Sequence, residues 1–154
     1  MEIVSAPALH HSGRCDECGF DSNTMDNDAL VDAIASFSVD ADALSDARPS
    51  PEVWSPREYA WHMRDAIDWY AERIELVLTT ERPQLEGRDF SVDPAPGRSP
   101  DVAPVVARLR ALTPEQWQRV GIGSSDGGGR DVRNLASRLA HECVHHALDM
   151  EQSR

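Results

Sequence analysis

The chain contains no lysine: all fifteen of its cationic residues are arginines, set against twenty-seven aspartates and glutamates. With alanine and aspartate abundant, this absence reads as the codon bias of a GC-rich genome and not as a functional signal. No run of arginines takes lysine's place, and the formal charge is −12. Nucleic-acid binding draws most of its affinity from clustered cations, so a phosphate-backbone partner is excluded, and an anionic membrane surface with it. No apolar run approaches the ~18 residues a transmembrane helix needs. The opening MEIVSAPALHHS also lacks the basic and apolar regions of a secretion signal, so the expected location is the cytoplasm. Cysteine is scarce. There are three, an odd number, with two of them in CDEC, which rules against a disulfide framework and points to metal or redox use in a reducing compartment. The glycine-rich RVGIGSSDGGGRD contains no GK[ST] and follows no apolar strand, so it is no phosphate cradle. Neither an internal repeat nor a convincing strand is visible.

What is present is helix, in a chain of 154 residues that is long enough for one domain with an ordinary core. From about Asp26 to Ala47, Leu30, Ile34, Phe37, Ala41 and Leu44 follow the spacing of a helix burying one stripe, and the aspartates around that stripe read as a solvated face. PSPEVWSPREYAW is a helix start, with Ser55 as N-cap, Pro56 at the first helical position and Glu58 three residues after the cap. This second helix runs to about Thr80 and buries Tyr59, Met63, Ala66, Tyr70, Ile74 and Val77, with His62 beside that stripe. Residues 81 to 100 hold four prolines and two glycines without any sustained period, and a long connection of that kind often covers a site. A third helix follows, capped at Ser99 or Asp101, then a short turn in TPEQW and a last helix from Asp131 to Gln152. The expected architecture is all-α: a four-helix bundle over residues 23 to 154 with one long crossover, preceded by an irregular Cys/His segment over residues 1 to 22.

The last helix, DVRNLASRLAHECVHHALDMEQ, carries the chemistry. His141 and His145 lie four residues apart, so both imidazoles fall on one face, one turn apart, where one metal ion can take a nitrogen from each. Two other regions offer a third ligand: the head, with His10, His11, Cys15 and Cys18, and the lone mid-chain His62. RCDECGF by itself is half a zinc site, in which Gly19 supplies the turn that lets two thiolates converge and His10 or His11 offers another ligand. HECVH also matches the HExxH pattern of zinc proteases, but those enzymes take a third ligand well downstream, and the nine residues left hold no Cys, no HxxGxxH extension and no His beyond the adjacent His146. Leu135, Leu139, Cys143, His146 and Met150 form the strongest apolar stripe, which places His141 and His145 roughly opposite and leaves an exposed histidine pair as the plain alternative. Cys143 reads as a buried, inert thiol.

Three stretches, WSPREYAWHMRD, HECVHHALD and LTPEQW with the glycine-rich turn after it, together resemble the DinB-like superfamily. That superfamily includes metal-dependent thiol S-transferases and the N-terminal domains of mycothiol-dependent maleylpyruvate isomerases. The head HHSGRCDECGFD is similar to the opening of an actinobacterial branch. The resemblance implies a metal held by one histidine of the second helix and an HxxxH pair of the last, here His62, His141 and His145. It implies a divalent metal, zinc first with nickel or iron as alternatives, that activates a low-molecular-weight thiol such as mycothiol toward a small electrophile. Asp65 and Glu142 are then the candidate proton-handling groups. A small-molecule thiol and an electrophile are the expected partners, and a homodimer is an open expectation. The competing reading is a non-enzymatic bundle that binds a metal or a partner and carries a structural Cys/His zinc in its head.

Overall fold

Five α-helices and three short strands make up the computed structural model, which describes residues 13–153; His10 and His11 lie outside the described residues. The helices are α1 (Asn27–Ala35), α2 (Pro56–Thr79), α3 (Ala103–Arg110), the single turn α4 (Pro114–Trp117) and α5 (Val132–Gln152). Helix α2 begins as the sequence predicts, because Ser55 and Glu58 form a reciprocal capping box that satisfies two of the amides left over at a helix start. Helix α5 starts on the Asp131 carboxylate, which accepts from the Asn134 amide at 2.7 Å. The two long helices pack along each other, with α1 on another side of α5 and α3 against α1.

Glu58 does more than cap. Arg48 grips it with two hydrogen bonds, from Nε at 2.8 Å and from Nη2 at 2.6 Å, and this holds the Glu58 carboxyl below its ordinary 4.5 against the opposing effect of burial. Stability from the pair is therefore present above the unfolded carboxylate's pKa and is lost as pH falls through the lower folded value. Glu58→Gln keeps the reach of the capping box, so denaturant unfolding at neutral pH should show a loss of about 0.5–1 kcal/mol that disappears in acid.

Two sequence expectations are corrected here. The first helix ends at Ala35 and does not run to Ala47. Ser36 turns its hydroxyl back to the Asp32 carbonyl at 2.9 Å, and Asp40 caps a separate 3-10 turn at Ala41–Ala43 by accepting from the Asp42 amide. Phe37 and Ala41 stay buried, so the stripe survives although the helix does not. Of the aspartates around it, Asp26 and Asp40 are caps.

Strands are also present. β1 (Gln84–Leu85) runs parallel to β2 (Val120–Gly123), which pairs antiparallel with β3 (Gly129–Asp131) in the register Val120 opposite Asp131. They are too short and too rich in glycine for an alternating pattern to show. Gly121 lets the strand pack closely there, because a Cβ would sit 2.8 Å from Leu85 Cδ1 and 3.0 Å from Val77 Cγ2 and would push those side chains aside. This small sheet clamps the start of the crossover to the turn before α5.

The rest of the crossover lies against α2 and is tied down by that helix's side chains. Arg64 Nη2 donates to the Ala95 carbonyl at 2.8 Å and Trp61 Nε1 to the Gly97 carbonyl at 3.1 Å. Trp54, just before α2, donates to Asp93 at 2.9 Å. One continuous core runs from Cys15 and Phe20 in the head through α1, α2 and α5, so the head packs as part of the bundle. Among the described residues, no helix is long and apolar enough to cross a membrane.

Candidate metal centres

Helix α5 carries two ladders of ligand-type side chains, each with the four-residue spacing that stacks them one turn apart: His141 with His145, and Glu142 with His146. An offset of one residue turns the second ladder roughly 100° around the helix from the first. They face different neighbours. The first meets the head, and the second meets α2.

In the first group, one donor atom from each of Cys15, Cys18, His141 and His145 lies within 4.8 Å of the others. Cys15 Sγ is 3.8 Å from His145 Nδ1. The head reaches this position through a tight knuckle. The Cys15 amide donates to the Phe20 carbonyl at 2.8 Å, the Gly19 amide returns to the Cys15 carbonyl at 3.0 Å, and Gly19 takes a φ of 78° that glycine adopts freely. Phe20 stacks on His141 with ring centroids 5.3 Å apart. Arg133 anchors the chain just beyond, donating to the Ser22 and Met25 carbonyls and to Asn27. Burial pushes the Cys18 thiol up to about 11, with the neighbouring Cys15 adding to it. Without a cation Cys18 is a poor nucleophile.

The second group is His62, Glu142 and His146, with its donor atoms also within 4.8 Å. Glu142 Oε2 stands between the two rings, 3.5 Å from His62 Nε2 and 3.1 Å from His146 Nε2. The nearer contact is off the line of a hydrogen bond, so His146 Nε2 is buried without a partner. On the other side of that ring, Nδ1 is 2.9 Å from Asp149 Oδ2, the kind of carboxylate contact that orients a metal-binding imidazole. Burial opposes charge throughout this group. The two imidazoles nevertheless hold Glu142 down to about 2, and Asp149 and Glu142 raise His146 to about 9, while burial lowers His62. Trp54 and Phe90 pack on His62 with centroids 5.2 and 5.5 Å away.

The structure thus divides the three histidines expected to share one ion. His62 groups with Glu142 and His146, whereas His141 and His145 group with the head cysteines. The resemblance implied His62 with His141 and His145, whereas the donor atoms that lie near His62 are those of Glu142 and His146. His141 and His145 are not opposite the core either: they are 3% and 1% exposed, because the head covers that face. The sequence pattern places His146 in the apolar stripe, and its spacing from Glu142 equals that of the expected pair. The glutamate of the HExxH pattern, Glu142, turns toward His62 and His146 and away from the group that holds His141 and His145. Cys143 is buried, and burial lifts its pKa above the ordinary thiol value, as expected of an inert thiol.

Asp65 lies on the wall of a cavity of about 310 Å³ with His62, Arg64, Arg88 and Phe90. Its Oδ1 is 2.9 Å from Arg64 Nη2 and its Oδ2 is 3.7 Å from Arg88 Nη2. The crossover forms the other wall.

Both donor sets fit a divalent metal: each combines buried imidazoles with anionic or thiol ligands, and His141, His145 and His146 each leave Nε2 buried without a hydrogen bond. The DinB superfamily matches residues 20–150 of this chain. Among solved structures, YfiT from Bacillus subtilis, described as a probable metal-dependent hydrolase with an unusual four-helix bundle topology, superposes with a TM-score of 0.53 at 18% identity. The match covers 82% of this chain and 78% of YfiT and shows a shared fold. No curated protein matches.

Proposed function

Because the chain belongs to the DinB superfamily, we propose that it is a metal-dependent catalyst acting on a small molecule, with His62, Glu142 and His146 as the residues that hold the metal. The observation that carries this reading is the meeting of those three donors beside a cavity walled by the crossover. Three protein ligands leave a position open, which is the arrangement of a catalytic site. A metal held there supplies Lewis-acid polarisation and lowers the pKa of a small nucleophile.

The side chains around it have separate tasks. Asp149 fixes the tautomer and direction of His146 by accepting from Nδ1, so that Nε2 is left for the metal. Trp54 and Phe90 keep bulk water from the His62 ring and lower the local dielectric. Arg88 lies over the Phe90 ring at 4.8 Å and is half exposed on the cavity, where it can orient an anionic group of the substrate. Asp65, expected from the sequence as a proton-handling group, is engaged by two guanidinium groups, and its task here is to aim Arg88.

Water is the first choice of nucleophile, since two imidazoles and a carboxylate are a set that catalytic zinc uses for hydrolysis. The description of YfiT as a probable hydrolase agrees with this. A low-molecular-weight thiol such as mycothiol, implied by the sequence resemblance, is the second reading and uses the same centre. Purified protein loaded with zinc, nickel or iron should be assayed against small esters and amides, and separately for thiol conjugation to an electrophile. His62→Ala is expected to lower whichever activity appears by about 100-fold or more. Turnover unchanged by that substitution would overturn the assignment.

A further inference from the structure

We propose that Cys15, Cys18, His141 and His145 form a closed, four-ligand zinc site that fastens the N-terminal knuckle to the last helix, separate from the His62 centre and independent of its reading. Two thiolates and two imidazoles are a full tetrahedral set for zinc, with no position left for a substrate, and closed sets of this kind are structural. With Zn–S bonds of about 2.3 Å and Zn–N bonds of about 2.0–2.1 Å, a tetrahedral ion places sulfur and nitrogen ligands about 3.6 Å apart. The Cys15 Sγ to His145 Nδ1 separation of 3.8 Å is close to that value.

Further features prepare the site for an ion. All four side chains are buried or half-buried, and His141 Nε2 is sealed in the protein without a hydrogen-bond partner. The stacked Phe20 ring holds the His141 imidazole in place. Outside the set, Glu17 and Asp149 each bring a carboxylate oxygen to 3.6 Å from His145 Nε2, on the ring edge away from Nδ1. A redox role for the cysteine pair is the weaker alternative, since a CxxC couple acts without two buried imidazoles closing over it.

The consequence is mechanical. The ligands come from the two ends of the chain, 130 residues apart for Cys15 and His145, and a clip over so long a loop removes a large share of the unfolded chain's freedom. The fastened helix is also the one that presents Glu142 and His146 to α2.

The test uses the full chain purified from zinc-supplemented medium, with the metal then exchanged for cobalt(II). Wild-type protein should retain zinc through dialysis, and its cobalt form should show the near-ultraviolet charge-transfer absorption of thiolate ligation. Cys15→Ser with Cys18→Ser should abolish that absorption and lower the thermal midpoint by about 10 °C or more. His62→Ala should leave the absorption in place. If the cysteine variant does not fold, X-ray absorption of the zinc-loaded His62→Ala protein, in which the other centre is disabled, decides, with two sulfur and two nitrogen scatterers expected. A zinc shell without sulfur, a charge-transfer band that disappears in His62→Ala, or a Cys15–Cys18 disulfide in place of metal would overturn the proposal.

Discussion

Glu142→Gln is expected to reduce divalent-metal affinity at the His62 centre by about 100-fold or more, while the thiolate absorption of a cobalt-loaded protein stays unchanged. The carboxylate lies between two imidazoles, and its charge is what lets a cation sit among buried groups that otherwise repel it. Glutamine matches its shape but brings no charge, and its amide nitrogen is no ligand for a divalent ion. Competition titration with a chromophoric chelator gives the affinity directly. The pair His62→Ala and Glu142→Gln should be strongly non-additive, with the double variant hardly worse than either single one, because each change alone leaves two ligands. Additive effects on metal binding, or a glutamine variant that binds as wild type does, would show that Glu142 is an ordinary buried acid and no ligand.

Leu139→Ala should destabilise the fold by about 3 kcal/mol, within the range measured for buried leucines. The side chain is fully buried in the middle of α5, where the neighbouring helices meet it, and those rigid elements cannot collapse onto the space it leaves. For a chain of this length that corresponds to a fall in thermal midpoint of roughly 6–12 °C. Val92→Ala supplies the contrast, since Val92 is 63% exposed on the crossover and its truncation should stay within about 0.5 kcal/mol. Metal occupancy has to be matched between variants, because ligand binding to the native state adds to apparent stability. Equal losses at the two positions would remove α5 from the centre of the core.

The helix ends were the most legible part of the fold. Ser55 with Glu58 ahead of α2 is a local signal, in which a side chain a few residues away satisfies a backbone amide, and it holds in the structure. The first helix misled because its apolar spacing continues past Ser36, while a serine and several aspartates draw the backbone into turns and caps. The three strands were invisible for another reason. They are short segments whose partners lie far along the chain, and pairing across such distances leaves almost no periodic trace.

The candidate centres divide in the same way. Residue order alone determined that α5 carries two four-residue pairs, His141 with His145 and Glu142 with His146, on adjoining faces, and that CDEC offers two convergent thiols. Only the tertiary structure decided the partners: the head covers the first face and α2 the second, so the cysteines and His62 do not compete for one pair. Helical periodicity sets which side chains share a face, because 3.6 residues per turn is a property of the local backbone. It carries nothing about which neighbour comes to lie on that face, and packing at long sequence separation determines that.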